Sequence, residues 1–239
     1  MSLTLKPGRE RSLLRRHPWI FSGAVQGVDD EPAPGATIDL LSATGDFLAR
    51  AAYSPTSQIR ARVWTFDDEP VDADFFRRKI RAAVEMRRKL KVEGQSNAYR
   101  LVYAESDGLP GLIVDRYGDI LVLQSLTTGS EFWKETIADI LLEETGLSTI
   151  YERSDADVRE LEGLLPKSGV IRNSDSPNIE SRISNIVIHE HNLQFNVNFQ
   201  TGHKTGFYLD RRANRLKVRE LAEGRDVLIE WRSANGDYG

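Results

Sequence analysis

From Ile59 to Phe66 the side chains alternate with a period of two, a pattern that only a strand with two distinct faces satisfies. Ile59, Ala61, Val63 and Thr65 fall on one face, and Arg60, Arg62, Trp64 and Phe66 on the other. Further strands precede it. Ala36-Thr37-Ile38-Asp39-Leu40-Leu41 and Phe47-Leu48-Ala49-Arg50-Ala51 flank Ser42 to Asp46, whose Gly45 signals a hairpin. Gly8 to Leu14 suits a short helix closing one end of a small β-barrel. Asp67-Asp68-Glu69-Pro70 is acidic, breaks the pattern and marks a boundary near residue 70.

The period then changes. Asp72 is placed to cap a helix whose stripe is Phe76, Ile80, Ala83, Val84 and Leu90, with Gly94 ending it. Strands follow at 99–103, 112–116 and 120–124, the last two joined by Tyr117-Gly118-Asp119. Trp133, Ile137, Ile140 and Leu141 mark a second amphipathic helix. A short strand at 149–152 and a short helix at 155–164 complete an α+β unit in which helices cover an antiparallel sheet. Gly169 to Arg182 reads as a polar linker. Ile186-Val187-Ile188 and Phe195 to Phe199 flank His191-Asn192 as a hairpin, a helix is expected from about Arg211 to Ala222 with Asp210 as its cap, and a buried strand begins at Arg225. The fold class is therefore α+β, divided as 1–70, 71–182 and 183–239.

The net charge of −4 is unevenly spread. Lys6–Arg16, Arg77–Lys91 and His203–Arg219 together hold 19 of the 32 basic residues and only three of the 36 acids. Phosphate neutralisation needs a local positive surface, so the overall charge does not exclude nucleic acid. The basic residues of the middle run fall largely off its apolar stripe, which makes them an ordinary solvated face. No run of about eighteen apolar residues exists, so a membrane helix is not expected, and the N-terminus lacks a signal-peptide core. There is no cysteine. Disulfides, thiol nucleophiles and cysteine-based metal sites are excluded within these residues, and the cytoplasm is the natural setting. Four histidines (17, 189, 191 and 203) invite zinc, but nothing supplies a convincing third ligand, and no metal is expected.

Three stretches could carry chemistry. Arg15-Arg16-His17-Pro18-Trp19-Ile20-Phe21 combines phosphate-binding groups with stacking surfaces, although Trp19 and Phe21 are expected in the barrel core. Glu105-Ser106-Asp107-Gly108-Leu109-Pro110-Gly111 offers two carboxylates, yet its Asp-Gly and Pro-Gly pairs read as turns, with Asp107 satisfying turn amides. Gly202 to Arg212 is dense in donors and glycines, but lacks the spacing of a phosphate loop, so an NTPase is rejected. Its polarity is unusual for a plain hairpin and favours function.

These residues resemble a family. Gly8-Arg9-Glu10, Arg16 to Ala24 and Ala52-Tyr53-Ser54-Pro55 are similar to the N-terminal PUA domain of the bacterial 23S rRNA cytosine-C5 methyltransferases. Ile59–Phe66, Glu105–Arg116 and Arg153-Ser154-Asp155 extend the likeness into that family's central α+β domain, and Gly202–Arg212 looks like the segment leading into its Rossmann-like methyltransferase domain. The resemblance implies a PUA domain that grips 23S rRNA through Arg9, Arg15, Arg16, His17, Trp19, Arg60 and Arg62. It implies S-adenosylmethionine (SAM) as cofactor, lying against Lys204, Thr205, Gly206, Phe207, Tyr208, Asp210 and Arg211. A homodimer is compatible with it. After Val227-Leu228 the family continues into a glycine-rich SAM loop, whereas this chain reads Ile229 to Gly239. That departure implies a truncated, frameshifted or excised portion without catalytic residues of its own. A stand-alone RNA-binding protein, and a related SAM enzyme acting on another RNA base, remain open alternatives.

Overall fold

In the computed structural model the described residues are 1–173 and 186–223. The chain divides into two compact units, Met1–Phe207 and Tyr208–Gly239.

The first unit holds two sheets and a hairpin. Strands β1 (Ser2–Leu5), β2 (Trp19–Phe21), β3 (Val25–Val28), β4 (Thr37–Leu41), β5 (Phe47–Tyr53) and β6 (Ile59–Thr65) form one sheet in the order β2-β6-β5-β4-β1-β3. Its two edge strands, β2 and β3, are consecutive and joined by a single 3-10 turn at Ser22–Ala24, so the sheet curls back on itself. Leu3, Leu5, Ile20, Ile38, Leu40, Ala49, Ala61 and Val63 fill its interior, and Leu13 of helix α1 (Arg11–Leu14) plugs it.

The second sheet, β11-β10-β9-β8-β7, comprises β7 (Ala98–Tyr103), β8 (Leu112–Tyr117), β9 (Ile120–Ser125), β10 (Thr149–Ser154) and β11 (Lys167–Asn173). It is mixed and not antiparallel as the pattern suggested: β9 and β10 run parallel, because helix α3 (Thr128–Thr145) returns the chain between them. The polar segment expected as a linker from Gly169 is in part strand β11, an edge whose side chains alternate with no buried row to betray it. The remainder of that linker, 174–182, lies outside the described residues. Hairpin β12 (Ile186–Glu190) and β13 (Leu193–Val197) turns on His191 and Asn192, both at positive φ (46° and 68°), as a two-residue turn requires.

Helix α2 (Ala73–Lys89) is capped by Asp72, whose carboxylate accepts the Phe75 amide at 2.9 Å. It stops before the expected Gly94, and Leu90, assigned to its stripe, is exposed. Its arginines are more than a solvated face: Arg77, Arg81 and Arg87 pair with Glu143, Glu144 and Asp107. α2 and α3 cover the second sheet around Phe75, Phe76, Ile80, Leu101, Val114, Leu123, Ile137 and Leu141.

This second core also takes in Ala52 and Trp64 from the curled sheet. Strand β6 is consequently buried on both faces, and its Arg62 and Trp64 do not look outward as simple alternation suggested. The reason is α3. At Gly129 in its first turn a Cβ would lie 2.3 Å from the Ala52 Cβ and 2.9 Å from the Trp64 ring. Only glycine lets the helix approach so closely.

The second unit begins with a 3-10 turn, Leu209–Arg211, and helix α4 (Arg212–Ala222). The cap position of α4 is Arg211, without a side-chain cap bond; Asp210 lies inside the preceding turn and is not the cap. Arg215 steadies that turn by donating to the Tyr208 carbonyl at 2.9 Å. The expected strand from Arg225 and the departure at Ile229 lie outside the described residues.

Candidate nucleic-acid interface

Helix α1 and strand β2 set the first group of predicted residues. α1 ends in a Schellman turn: the amides of Arg16 and His17 donate to the carbonyls of Leu13 and Ser12 at 2.7 and 2.9 Å. Such a turn needs a left-handed residue, usually glycine. Here Arg16 fills it at φ 59°, a conformation that costs an L side chain roughly 1–2 kcal/mol. Its guanidinium lies 5.4 Å over the Phe66 ring. Arg9, Arg11, Arg15 and His17 are exposed, and Arg60 is half-buried. His17 Nδ1 accepts the Trp19 amide at 3.2 Å.

Trp19 and Phe21 were expected in the barrel core, and the structure corrects that. On β2 it is Ile20 that points inward, so its two aromatic neighbours point out. Trp19 is half-buried and donates from Nε1 to Glu105 Oε1 at 2.8 Å. Phe21 is 51% exposed. The three rings of His17, Trp19 and Phe21 meet edge to face, at 5.8 and 6.5 Å. Trp19 lies opposite Arg62 in the β2–β6 ladder.

Arg62 itself is not part of an open surface. It is buried and faces Glu162 Oε1 at 2.8 Å, an ion pair out of line for a hydrogen bond. Glu162 in turn accepts from Ser54 Oγ (2.8 Å) and the Thr128 amide (3.3 Å), so one carboxylate ties β6, the end of β5 and the start of α3 together. A neighbouring cluster is built likewise. Burial pushes the Glu131 carboxyl up, but hydrogen bonds from Lys167, Lys134 and Arg159 outweigh it and hold its pKa at about 2. The pair at 105 and 107 is structural: Glu105 holds Trp19, and Asp107 accepts the Tyr103 amide and a bidentate grip from Arg87 at 2.6 and 2.8 Å.

The segment from Asn198 to Phe207 is fastened to the second sheet. Phe199 is buried between Tyr117 and Tyr151. Arg153 donates to the carbonyls of Phe199 and Gly202. Thr205 is fully buried, donating to Asp115 Oδ2 at 2.5 Å and accepting from the Tyr117 hydroxyl at 2.9 Å. Asp115 is held from its other side by Arg100 at 2.9 and 3.0 Å. Burial, and then the Asp115 charge, push the Tyr117 phenol upward, so it remains a neutral donor. At Gly206 a Cβ would come within 2.7 Å of the Phe199 Cβ. Lys204 is exposed at φ 58°, and Phe207 packs on Phe195 at 5.3 Å. Tyr208, Asp210 and Arg211 belong to the second unit, where the Arg211 guanidinium lies 5.9 Å over the Tyr208 ring. His189 sits on β12 and His191 in the turn, not together on one strand face. Among the described residues no cluster of metal-binding side chains forms, and no helix is long and apolar enough to cross a membrane.

Residues 3–66 match the model of a PUA-like domain. Over 227 residues, 95% of its length, the chain is 47% identical to a protein of Erwinia tasmaniensis named Ribosomal RNA large subunit methyltransferase I. It is 49% identical over the same span to the protein of that name from Yersinia pseudotuberculosis. The chain is a relative of these rRNA methyltransferases. It spans 56% of their length. Two solved structures share the fold at 18% identity: a putative SAM-dependent methyltransferase from Streptococcus mutans (TM-score 0.72, covering 91% of this chain and 54% of that one) and a putative methyltransferase complexed with SAH (0.73, 91% and 53%). The exposed arginines of α1 and the outward aromatics of β2 therefore sit on the PUA-like domain. Sequence patterning missed the exposure of Phe21 and the role of Glu105. The inward Ile20 between two aromatics was the available signal for the first, and no local signal existed for a partner 86 residues away.

Proposed function

We propose that these residues are the RNA-gripping portion of a SAM-dependent methyltransferase that modifies C5 of a cytosine in 23S rRNA. The names of the relatives support the rRNA substrate, and the shared fold supports the SAM class. On this reading 1–70 is the RNA-binding domain, 71–182 the central α+β domain, and 183–239 the entry to the methyltransferase domain. The observation that carries the RNA contact is Arg16, a long cation held where a Schellman turn prefers glycine, amid the exposed Arg9, Arg11 and Arg15. Backbone strain tolerated at a charged residue points to use of that charge. Arg60 extends the surface; the buried, paired Arg62 drops from it.

The loop to Phe207 does not fit the cofactor unaided. The Thr205 hydroxyl is committed to Asp115 and Tyr117, and Gly206 is closed against Phe199. These two residues anchor the loop. C5 of cytosine becomes a nucleophile only after a covalent group adds at C6, a thiolate in this family. The 239 residues contain no cysteine, so on this reading their part is to bind RNA and not to supply that thiolate.

Arg15→Ala with Arg16→Ala should weaken binding to a 23S rRNA fragment and reduce the slope of log affinity against log salt by up to about 2, one per lost phosphate contact. Unchanged affinity and slope would return the patch to ordinary surface. In a parallel assay with labelled SAM, the 239-residue chain should transfer no methyl group to the rRNA; transfer would defeat the division of labour.

A further inference from the structure

We infer that Phe21 is a stacking platform for an unpaired base, and that the RNA taken by this face is single-stranded where it crosses β2. The inference rests on the RNA reading above and names the form of RNA involved.

Phe21 lies on an edge strand, since β2 pairs only with β6 within its sheet. A single exposed apolar side chain is ordinary in itself; what sets Phe21 apart is that its ring lies on an edge strand beside exposed arginines. Nothing in the fold requires an aromatic there, because the inward residue of β2 is Ile20. The ring is also held in place. Trp19 meets it edge to face, and Trp19 is fixed in turn by its indole N–H on Glu105 and by its ladder position opposite Arg62. A ring fixed before binding loses little conformational freedom when a base stacks on it.

The charge around the ring selects the occupant. Phe21 is in register with Ile59 across a break in the β2–β6 ladder, which leaves the half-buried Arg60 as the next residue along β6, and Arg15 and Arg16 stand at the turn entering β2. A cationic rim beside a flat aromatic face is what a single strand requires, with phosphates on the cations and a base on the ring. A-form duplex hides its base faces and offers only edges and backbone, so it would leave Phe21 uncovered. The nearby Glu105 keeps its charge while it accepts the Trp19 N–H, and Arg15, Arg16 and Arg60 outnumber it.

The test is a fluorescence-anisotropy titration with a labelled single-stranded RNA from 23S rRNA and the same sequence as a blunt duplex, across a salt series. Phe21→Ala should weaken single-strand binding on the order of tenfold, the usual scale for one lost base stack, with the salt slope unchanged. Phe21→Trp should retain wild-type affinity, and the duplex should bind more weakly and ignore both substitutions. Phe21→Ala binding the single strand like wild type, or a duplex preferred over it, overturns the inference. Arg15→Ala/Arg16→Ala/Arg60→Ala separates the two claims. Weakened binding by that variant beside an unaffected Phe21→Ala defeats only the stacking. No effect from either defeats the RNA reading as well. The far-ultraviolet spectrum and Tm of Phe21→Ala should match wild type, because an exposed ring supports no core.

Discussion

Glu162→Ala should lower the unfolding free energy by about 3–5 kcal/mol, the range for removing one partner of a buried ion pair. A domain of ordinary stability has only about 5–15 kcal/mol in total. The side chains of Glu162 and Arg62 are 1% and 9% exposed, so water cannot replace the lost carboxylate. The substitution strands the Arg62 guanidinium in the interior and also leaves the Thr128 amide short of an acceptor, while Ser54 can turn its proton to Thr128 Oγ1, 2.6 Å away. Arg62→Met/Glu162→Met should be markedly less damaging than Glu162→Ala, because no charge is then left behind. Urea unfolding of the three proteins decides the matter. A double variant as unstable as the single would mean that packing around Glu162, and not its charge, joins the two sheets.

That junction shows where sequence patterning stops. Strands β4, β5 and β6 of the curled sheet, helices α2 and α3 and the β12–β13 hairpin were legible, because each follows from a local period or a two-residue turn, whereas the short β1, β2 and β3 were not picked out. Asp72 and Gly45 declared a cap and a hairpin by residue type alone. What alternation could not convey is that β6 has a protein layer on each side. Arg62 and Trp64 alternate with Ala61 and Val63 as an outward face would, and only the approach of α3 at Gly129 turns that face inward. The parallel β9–β10 pairing and the edge strand β11 were illegible for a related reason. Neither is written in the strand itself, but in where the connecting helix returns the chain.

The predicted site divided along the same line. The exposure of Arg9, Arg15 and Arg16 could be read from a short basic run, since exposure near a turn is a local property. The dense polar stretch from Gly202 was read as ligand-facing, yet its threonine and glycines prove to fasten the loop. Thr205 finds its acceptor on Asp115, 90 residues earlier. Asn198 begins the same task locally, its side chain accepting the amides of Gln200 and Thr201. Polar density marks both binding loops and loops anchored by buried hydrogen bonds, and only the partner's position separates them.

Asp115→Ala should accordingly release this loop while leaving the sheet folded. Asp115 is completely buried and receives three contacts, two from Arg100 and one from Thr205. Without it, Arg100 can turn toward solvent, since its side chain is already 33% exposed. Thr205 has no such exit. Its hydroxyl lies fully buried beneath the loop, and an unsatisfied buried polar group costs about 1–3 kcal/mol. The least costly relief is for the Gly202–Phe207 loop to lift and admit water, a local opening rather than a global one. Hydrogen exchange should therefore show the amides of Gly202 and Gly206, which bond to Asn198 and His203, losing protection in Asp115→Ala while those of β8 and β9 keep theirs. Thr205→Val should produce a milder version, because Asp115 retains Arg100. Asp115→Asn should fall between the two, since the amide can still accept from Thr205 but no longer balances the guanidinium. If instead the β8 and β9 amides lose protection in step with the loop, Asp115 supports the sheet as a whole, and the loop is not a separately anchored element.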